Sequence, residues 1–430
     1  MPSPIGPAVL RALTRDGWLL FATRFVRLFA YGSLSVVLVF YLIGIGLTEP
    51  QIGTLLTLTL AGDTVVSLYL TTRADRIGRR RTLIIGAALM AIAGVVFASS
   101  HALWILVLAG TIGVISPSGN EVGPFLPIEQ AALAQVATDR TRTEVLAWYT
   151  LVGSFATALG ALAAGMAIGG LHVTLAIAPA GRYRAIVILY AALGVLLAVL
   201  FAGLSRAAEA TRSNEMKAGR TIFASLSGLD RSRDVVMKLA GLFALDAFAG
   251  GFVIQSFAAY WFYLRFGVDP ATLGAIFFGA NIFAGFSALL ASRLAVRFGL
   301  IKTMVGTHVP SNLLLILVPL MPTLWLATLV LLARFSISQM DVPTRQSYLM
   351  AVVSPEERSA AAGIAGVART IGAAISPLFV GFMFARPSLI NLPFFVAGTL
   401  KIAYDLLLYR EFVALRPPEE SLEITQRPGG

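Results

Sequence analysis

The amino-acid sequence predicts an all-α polytopic membrane protein with twelve transmembrane helices. Of its 430 residues, 57% are hydrophobic and only 13% are charged, whereas soluble proteins carry about 25% charged residues. The apolar residues occur in runs of roughly 20 or more, the length that a helix needs to cross the hydrocarbon core. Lipid offers no hydrogen-bond partners to the backbone, so these runs are expected to be helical.

Twelve runs meet this length, and they form two sets of six. The first set lies near 20–45, 51–71, 82–100, 103–134, 144–168 and 184–205. The second set lies near 238–263, 271–292, 303–321, 324–350, 358–383 and 389–410. The first run is too long for the apolar core of a signal peptide, so we expect it to be retained. Prolines at 117, 124 and 127 can split the run 103–134.

The basic residues orient the predicted spans. With the N-terminus inside, 23 of the 33 Lys and Arg residues fall in cytoplasmic segments and four in outer loops. An excess of basic residues marks the cytoplasmic side, so both termini are predicted to be cytoplasmic in a plasma or inner membrane. The net charge of +11 then reflects topology, and we expect no nucleic-acid partner.

The polar stretch 206–237 divides the chain into similar halves. We predict an N-terminal six-helix bundle over 1–205, a cytoplasmic linker over 206–237, and a C-terminal six-helix bundle with a short cytoplasmic tail over 238–430. Repeats that are separated by six crossings run parallel. The two bundles are therefore predicted to be parallel and related by a pseudo-two-fold axis.

An internal repeat supports this division. A shift of 221 residues aligns Gly46 with Gly267 and Arg76 with Arg297. A shift of 220 places Glu121 opposite Asp341. The shared order and spacing indicate duplication of an ancestral six-helix unit.

The loop between the second and third spans carries a specific motif. It reads Asp75-Arg76-Ile77-Gly78-Arg79-Arg80, and it resembles the signature loop of the major facilitator superfamily. The resemblance covers essentially the whole chain, with a weaker second copy of the motif at 292–302. Thr71 stands where the family has a glycine. The resemblance implies the family's twelve-helix fold, and it implies that the motif residues latch the two halves on the cytoplasmic side. These residues are Asp75, Arg76, Gly78, Arg79 and Arg80.

The resemblance also implies secondary active transport of a small solute by alternating access, with no cofactor and no enzymatic activity. No Gly-x4-Gly-Lys-Ser/Thr loop is present, so direct use of ATP is not expected. Two alternatives remain open: a non-transporting sensor or receptor on the same scaffold, and, less favoured, a membrane-embedded enzyme. We expect a monomer in the lipid bilayer. The sequence leaves the solute and the direction of its transport undecided.

Twelve charged residues fall within the predicted spans, six of each sign. A charge at the bilayer centre costs about 2.5–3.5 kcal/mol on insertion scales, so such residues are expected to face partners or water. Eight of them lie in the first, fourth, seventh and tenth spans, which by the resemblance line the central cavity. We select six as candidates for a substrate or proton pathway: Arg27, Glu121, Glu129, Asp246, Asp341 and Arg345.

Each charge also has a structural interpretation. Glu121 and Asp341 are as readily explained by helix packing as by proton exchange, and Arg24 lies where a side chain can snorkel. Lys401 and Asp405 are four residues apart, which favours a local structural pair. The chain has no cysteine and three histidines, His101, His172 and His308, so a metal site is not expected.

Overall fold

The computed structural model describes residues 13–136, 142–175, 179–209, 229, 232–354, 356–413 and 415. Regular structure in these residues is entirely helical. Contacts group the described residues into two compact units: one contains those of Met1–Gly219 and Ile254–Ile282, and the other those of Arg220–Val253 and Phe283–Gly430. Most of the predicted linker 206–237 lies outside the described residues.

The first unit contains seven helices from the first half of the sequence and one from the second. They are α1 (Arg15–Gly44), α2 (Glu49–Ile77), α3 (Arg79–Ser99), α4 (Leu103–Ile112), α5 (Phe125–Val136), α6 (Arg142–Leu175), α7 (Pro179–Ala202) and α9 (Gln255–Phe266). The start of α10 (Pro270–Phe298) also belongs to this unit.

The second unit contains the remaining helices and the end of α10. They are α8 (Arg233–Gly251), α11 (Leu300–Leu317), α12 (Leu324–Ser338), α13 (Asp341–Val352), α14 (Arg358–Phe384) and α15 (Leu392–Phe412). The buried apolar core of this unit includes Phe243, Met304, Tyr348 and Tyr404.

Eleven helical stretches of the described chain are long and apolar enough to cross a membrane. The remaining predicted span, the fourth one at 103–134, is present as two shorter helices, α4 and α5. Large apolar side chains remain exposed along many of the helices, including Val65, Trp104, Val195 and Trp325. Such exposure would be unfavourable in water but suits helices whose outer faces contact lipid.

Three predicted spans are interrupted. The span 103–134 is broken at 113–124, as its prolines allow. The spans 238–263 and 324–350 are both present as stretches long enough to cross a membrane, but each contains a short break that was not predicted, the first at 252–254 and the second at 339–340. Glu121 lies within the first break, and Asp341 begins the helix that follows the last one. The two acids that the repeat aligns therefore both lie at helix breaks.

Side chains from neighbouring helices satisfy the backbone of the break 113–124. Non-helical backbone within a membrane protein needs such partners because lipid supplies none. The bonds involve α1, α7, α2 and α9 in turn: Tyr31 Oη to Val122 O (3.2 Å), Tyr190 Oη to Val114 O (2.6 Å), Gly123 N to Asp63 Oδ1 (2.8 Å) and Ser256 Oγ to Pro117 O (2.5 Å). Asp63 therefore has a structural role in holding the break.

Local signals explain where several helices begin. Thr14 Oγ1 accepts a hydrogen bond from Gly17 N at 3.2 Å and caps α1. Asp269 Oδ1 accepts from Ala271 N at 2.9 Å and so caps α10, next to Pro270 at its first position. The Thr272 hydroxyl, together with the backbone N–H groups of Thr272 and Ala271, donates to the Asp269 carboxylate and lowers its pKa.

Helices α1 and α6 pack closely because small residues lie at their contact. A Cβ atom added to Gly160 of α6 would lie 2.1 Å from Phe29 O of α1. Gly32 of α1 is packed as tightly, since its added Cβ would lie 2.1 Å from Thr157 O. These contacts bring the arginines of α1 close to α6.

Replacing Gly160 by alanine is expected to destabilise the protein by about 1–3 kcal/mol, because overpacking displaces backbone atoms that cannot move independently. Thermal unfolding of the purified protein in detergent measures the change. Gly170→Ala is the matched control in the same helix, since nothing lies within 4 Å of its added Cβ. Equal loss of stability in both variants would contradict the close contact at Gly160.

Candidate functional site

The first unit contains a buried charge cluster, which we call the first charge cluster: Arg24, Arg27, Glu121, Glu129 and Tyr149. Arg27 lies between the two acids, with Nη2 2.5 Å from Glu129 Oε2 and 3.0 Å from Glu121 Oε1. Arg24 forms an ion pair with Glu121 and donates from Nε to Tyr149 O at 3.0 Å. Arg27 and Glu129 are completely buried, whereas the Glu121 side chain is 17% exposed.

Four parts of the first unit supply this cluster. Arg24 and Arg27 are three residues apart on α1 and so share one face of that helix. Glu121 comes from the break after α4, and Glu129 comes from α5. Tyr149 of α6 donates its hydroxyl to Glu129, and Thr23 Oγ1 donates to the same carboxylate at 2.7 Å. Two bases thus balance two acids, and Arg24 is buried in an ion pair rather than snorkelling.

The second unit contains the second charge cluster: Asp246, His308, Asp341, Arg345, Lys401 and Asp405. Arg345 Nη1 bridges Asp246 Oδ2 at 3.0 Å and Asp341 Oδ2 at 2.9 Å. Lys401 Nζ lies 2.5 Å from Asp246 Oδ1. All six residues are buried, and they come from α8, α11, α13 and α15.

His308 connects two acids of the second cluster. Its Nδ1 lies 2.8 Å from Asp405 Oδ1, and its Nε2 lies 3.9 Å from Asp246 Oδ1. The other Asp405 oxygen accepts from Asn312 Nδ2 at 3.0 Å. The interpretation of Lys401 and Asp405 as a local pair was wrong, because Lys401 bonds to Asp246 while Asp405 bonds to His308.

The structure therefore separates the six selected residues into two groups. Arg27, Glu121 and Glu129 meet in the first cluster, and Asp246, Asp341 and Arg345 meet in the second. Sequence reasoning did not assign Tyr149, Lys401 or Asp405 to these clusters, because nothing in the sequence shows which way each helix faces. Among the described residues, no group of three or more His, Cys, Asp or Glu side chains is placed to hold a metal ion.

The motif loop forms a second polar site, between α2 and α3. Gly78 joins the two helices with φ of 102°, a conformation that side chains disfavour. Arg79 is buried and pairs with Asp75 at 2.9 Å, while Arg76 and Arg80 are exposed. Asp75 therefore pairs with an arginine of its own motif.

Glu209 closes this loop from the chain that follows α7. Its carboxylate accepts from the backbone N of Arg79 at 2.6 Å and of Arg80 at 3.3 Å, so it caps the N-terminus of α3. Gln135 of α5 donates to Glu209 O at 2.8 Å and accepts from Arg79 Nη1 at 2.8 Å. A negative charge at a helix N-terminus is stabilising, and here it ties the start of the predicted linker to the motif.

Replacing Glu209 by alanine is expected to cost about 0.5–2 kcal/mol of stability, because it removes the cap of α3. Glu209→Gln keeps an acceptor without the charge and is expected to lose less. Thermal unfolding measures both. The control is Glu411→Ala, which breaks an exposed pair with Lys238 and is expected to have little effect. A Glu209→Ala protein as stable as the control would show that the cap contributes nothing.

Comparison with protein families identifies the fold. The family model described as Major Facilitator Superfamily matches residues 20–333 and 247–429. The chain belongs to the Major Facilitator Superfamily. As a member of this superfamily it is a secondary transporter with the all-α membrane fold, and its relatives point to transport rather than catalysis.

Relatives extend over nearly the whole length of this superfamily member. It is 32% identical over 429 residues to the uncharacterized membrane protein YJR124C of Saccharomyces cerevisiae, covering 94% of this chain and 96% of that one. The fold matches a bacterial homolog of the human lysosomal transporter Spinster, at TM-score 0.73, 15% identity and 93% and 97% coverage. It also matches the nucleoside transporter NupG, at TM-score 0.70, 14% identity and 93% and 99% coverage.

A third solved structure, a D-xylose-proton symporter, matches at TM-score 0.69 and 16% identity, covering 92% of this chain and 97% of that one. At these identities the solved structures establish the fold alone. The solute and the coupling of this transporter must therefore be inferred from its own charge clusters.

Proposed function

We propose that this transporter moves a small solute by alternating access and couples that movement to protons. The observation that carries the proposal is the buried chain from Asp405 through His308 to Asp246 in the second charge cluster. It joins α15, α11 and α8 by contacts of 2.8 and 3.9 Å. Histidine is the side chain whose charge ordinarily changes between about pH 5 and 8.

His308 lies between acids on two other helices. Asp405 belongs to α15 and Asp246 to α8, and each faces a different ring nitrogen of His308. A proton gained or lost by His308 therefore changes its attraction to both helices at once. Because buried charges are costly without partners, a change in this proton is expected to shift the preferred conformation.

The groups in direct contact with His308 determine which charges a proton on its ring would affect. Asp405 and Asp246 face the two ring nitrogens of His308, and the Tyr404 ring lies at 6.0 Å. Asn312 is on the same helix as His308 and bonds to Asp405. A proton on His308 therefore acts on Asp246, and through Asp246 on Arg345 and Lys401.

The finer placement of the protein is also part of the proposal. Basic residues support cytoplasmic termini and a location in the cytoplasmic membrane. The Asp75–Arg79 pair and its Glu209 cap support a cytoplasmic latch at the motif loop. We propose that the protein acts as a monomer on small molecules and does not bind nucleic acid.

Uptake into proteoliposomes tests the proposal. The panel begins with nucleosides and D-xylose, which the names of the structural neighbours suggest, and extends to amino acids, organic acids and sugar phosphates. We expect at least one solute to accumulate when a proton gradient is imposed, and a protonophore to abolish the accumulation. If transport is indifferent to the gradient, proton coupling is wrong, and if no solute moves, so is transport itself.

A further inference from the structure

Two arginines of the second unit lie near the second charge cluster without an acid of their own. Arg334 is on α12 and Arg369 is on α14. Among the described residues, neither forms an ion pair within 4.0 Å. The Nε atom of each is shielded from solvent and has no hydrogen-bond acceptor. The Arg334 guanidinium carbon lies 5.0 Å from the Phe335 ring centroid, a contact that is not an ion pair.

The other four basic residues within the predicted spans all have acid partners. Arg24 and Arg27 pair with Glu121 in the first unit, and Arg345 and Lys401 pair with Asp246 in the second. Among these bases, only Arg334 and Arg369 lack an acid partner in the described part of the chain. This contrast sets Arg334 and Arg369 apart from residues that only neutralise a buried acid.

Both arginines lie near the carboxylates Asp246 and Asp341, because α12 packs on α11, which carries His308, and α14 packs on α8, which carries Asp246. Those carboxylates are already held by Arg345 and Lys401, at 2.5–3.0 Å. Addition of the two arginines gives this region four basic side chains, other than His308, against three acids. The region therefore has an excess of positive charge and unused N–H donors.

The chemistry of these donors identifies the ligand they fit. A guanidinium presents five N–H donors in a planar fork that matches carboxylate and phosphate oxygens. Buried donors without an acceptor are unfavourable, so an arriving acceptor is stabilising. Both side chains remain partly exposed.

We propose that Arg334 and Arg369 bind the transported solute through its anionic group, a carboxylate or a phosphate. This inference rests on the proposed transport function and adds the substrate class to it. The neighbouring ion pairs among Asp246, Asp341, Arg345 and Lys401 hold their own charges and leave the two arginines for the solute. Binding there places the negative charge of the solute next to the cluster that contains His308.

Thermal unfolding of the full-length protein in detergent tests this with matched solute pairs. Succinate is compared with succinamide, and glucose 6-phosphate with glucose, so that the two arms separate carboxylate from phosphate recognition. We expect one anion to raise the unfolding temperature more than its neutral analogue does. Arg334→Gln and Arg369→Gln are each expected to raise the apparent Kd for that anion by roughly tenfold or more. Arg386→Gln, at an exposed position, is the control and should bind as the wild type does.

The unliganded protein separates binding from a structural role. If the arginines recognise a solute, the glutamine variants should unfold without ligand at or above the wild-type temperature, since an unsatisfied donor has been removed. If they only support the fold, the variants lose stability without ligand and keep the anion-induced shift, which overturns the proposal. No preference for either anion over its neutral analogue also overturns it.

The outcomes distinguish this inference from the proposed function. Proton-driven accumulation of a neutral solute, unchanged in Arg334→Gln and Arg369→Gln, would leave transport standing and remove the anion site. Arginine-dependent anion binding without transport of any solute would support the anion site and contradict the proposed transport.

Discussion

Replacing Asp246 by alanine is expected to be among the most damaging single changes in the second unit. The variant leaves Lys401 without its partner and removes one of the two carboxylates that hold Arg345. Removing one member of a buried ion pair costs about 3–5 kcal/mol, because the remaining charge stays desolvated. We expect a large fall in the thermal unfolding temperature and loss of solute transport.

Two further variants identify the cause of that loss. Combining Asp246→Asn with Lys401→Met removes the charges as a pair, and it should recover much of the stability while transport remains impaired. Asp234 lies on the same helix at an exposed position. Asp234→Asn should therefore change stability and transport little. If the double variant is no more stable than Asp246→Asn alone, unpaired charge is not the reason for the damage.

Replacing Arg27 by methionine should be comparably damaging in the first unit. Glu129 would lose its only ion-pair partner among the described residues, and its side chain is fully buried. Glu121 would keep Arg24. We again expect a loss of about 3–5 kcal/mol, measured by thermal unfolding in detergent.

Companion substitutions make the Arg27 prediction specific. Arg27→Lys keeps the positive charge but not the bidentate contact with Glu129, so it should lose less stability than Arg27→Met. Adding Glu129→Gln to Arg27→Met removes the unpaired acid and should restore part of the stability. Arg15→Met, at an exposed position on the same helix, is the matched control. A methionine variant that unfolds with the control would contradict the account of the first charge cluster.

Much of the fold could be predicted because lipid imposes a simple rule on the chain. A run of apolar residues must be helical, and basic residues orient it, so neither step needs three-dimensional information. The motif from Asp75 to Arg80 added the family. The breaks at 252–254 and 339–340 were not predicted. They contain no proline, so the prolines that mark the break at 113–124 have no counterpart there.

The partners of the charges could be predicted only in part. Arg345 and Asp341 are four residues apart and do pair, at 2.9 Å. Lys401 and Asp405 have the same spacing, but Lys401 bonds to Asp246 and Asp405 bonds to His308. Spacing along a helix identifies possible pairs, whereas the choice among them depends on which acid the adjacent helices present. The contacts of His308 could not be predicted for the same reason, because both of its acid neighbours are on other helices.

The proton-coupling role of the second charge cluster is tested most directly by proton movement that a solute evokes. Proteoliposomes that contain a pH-sensitive dye receive a transported solute, and the internal pH is followed in the wild type, His308→Gln and His101→Gln. His101 is exposed and is the matched control. We predict that the solute moves protons in the wild type and the control, while His308→Gln carries the solute only down its own gradient and moves none. Equal proton movement in all three proteins would contradict the assignment of His308.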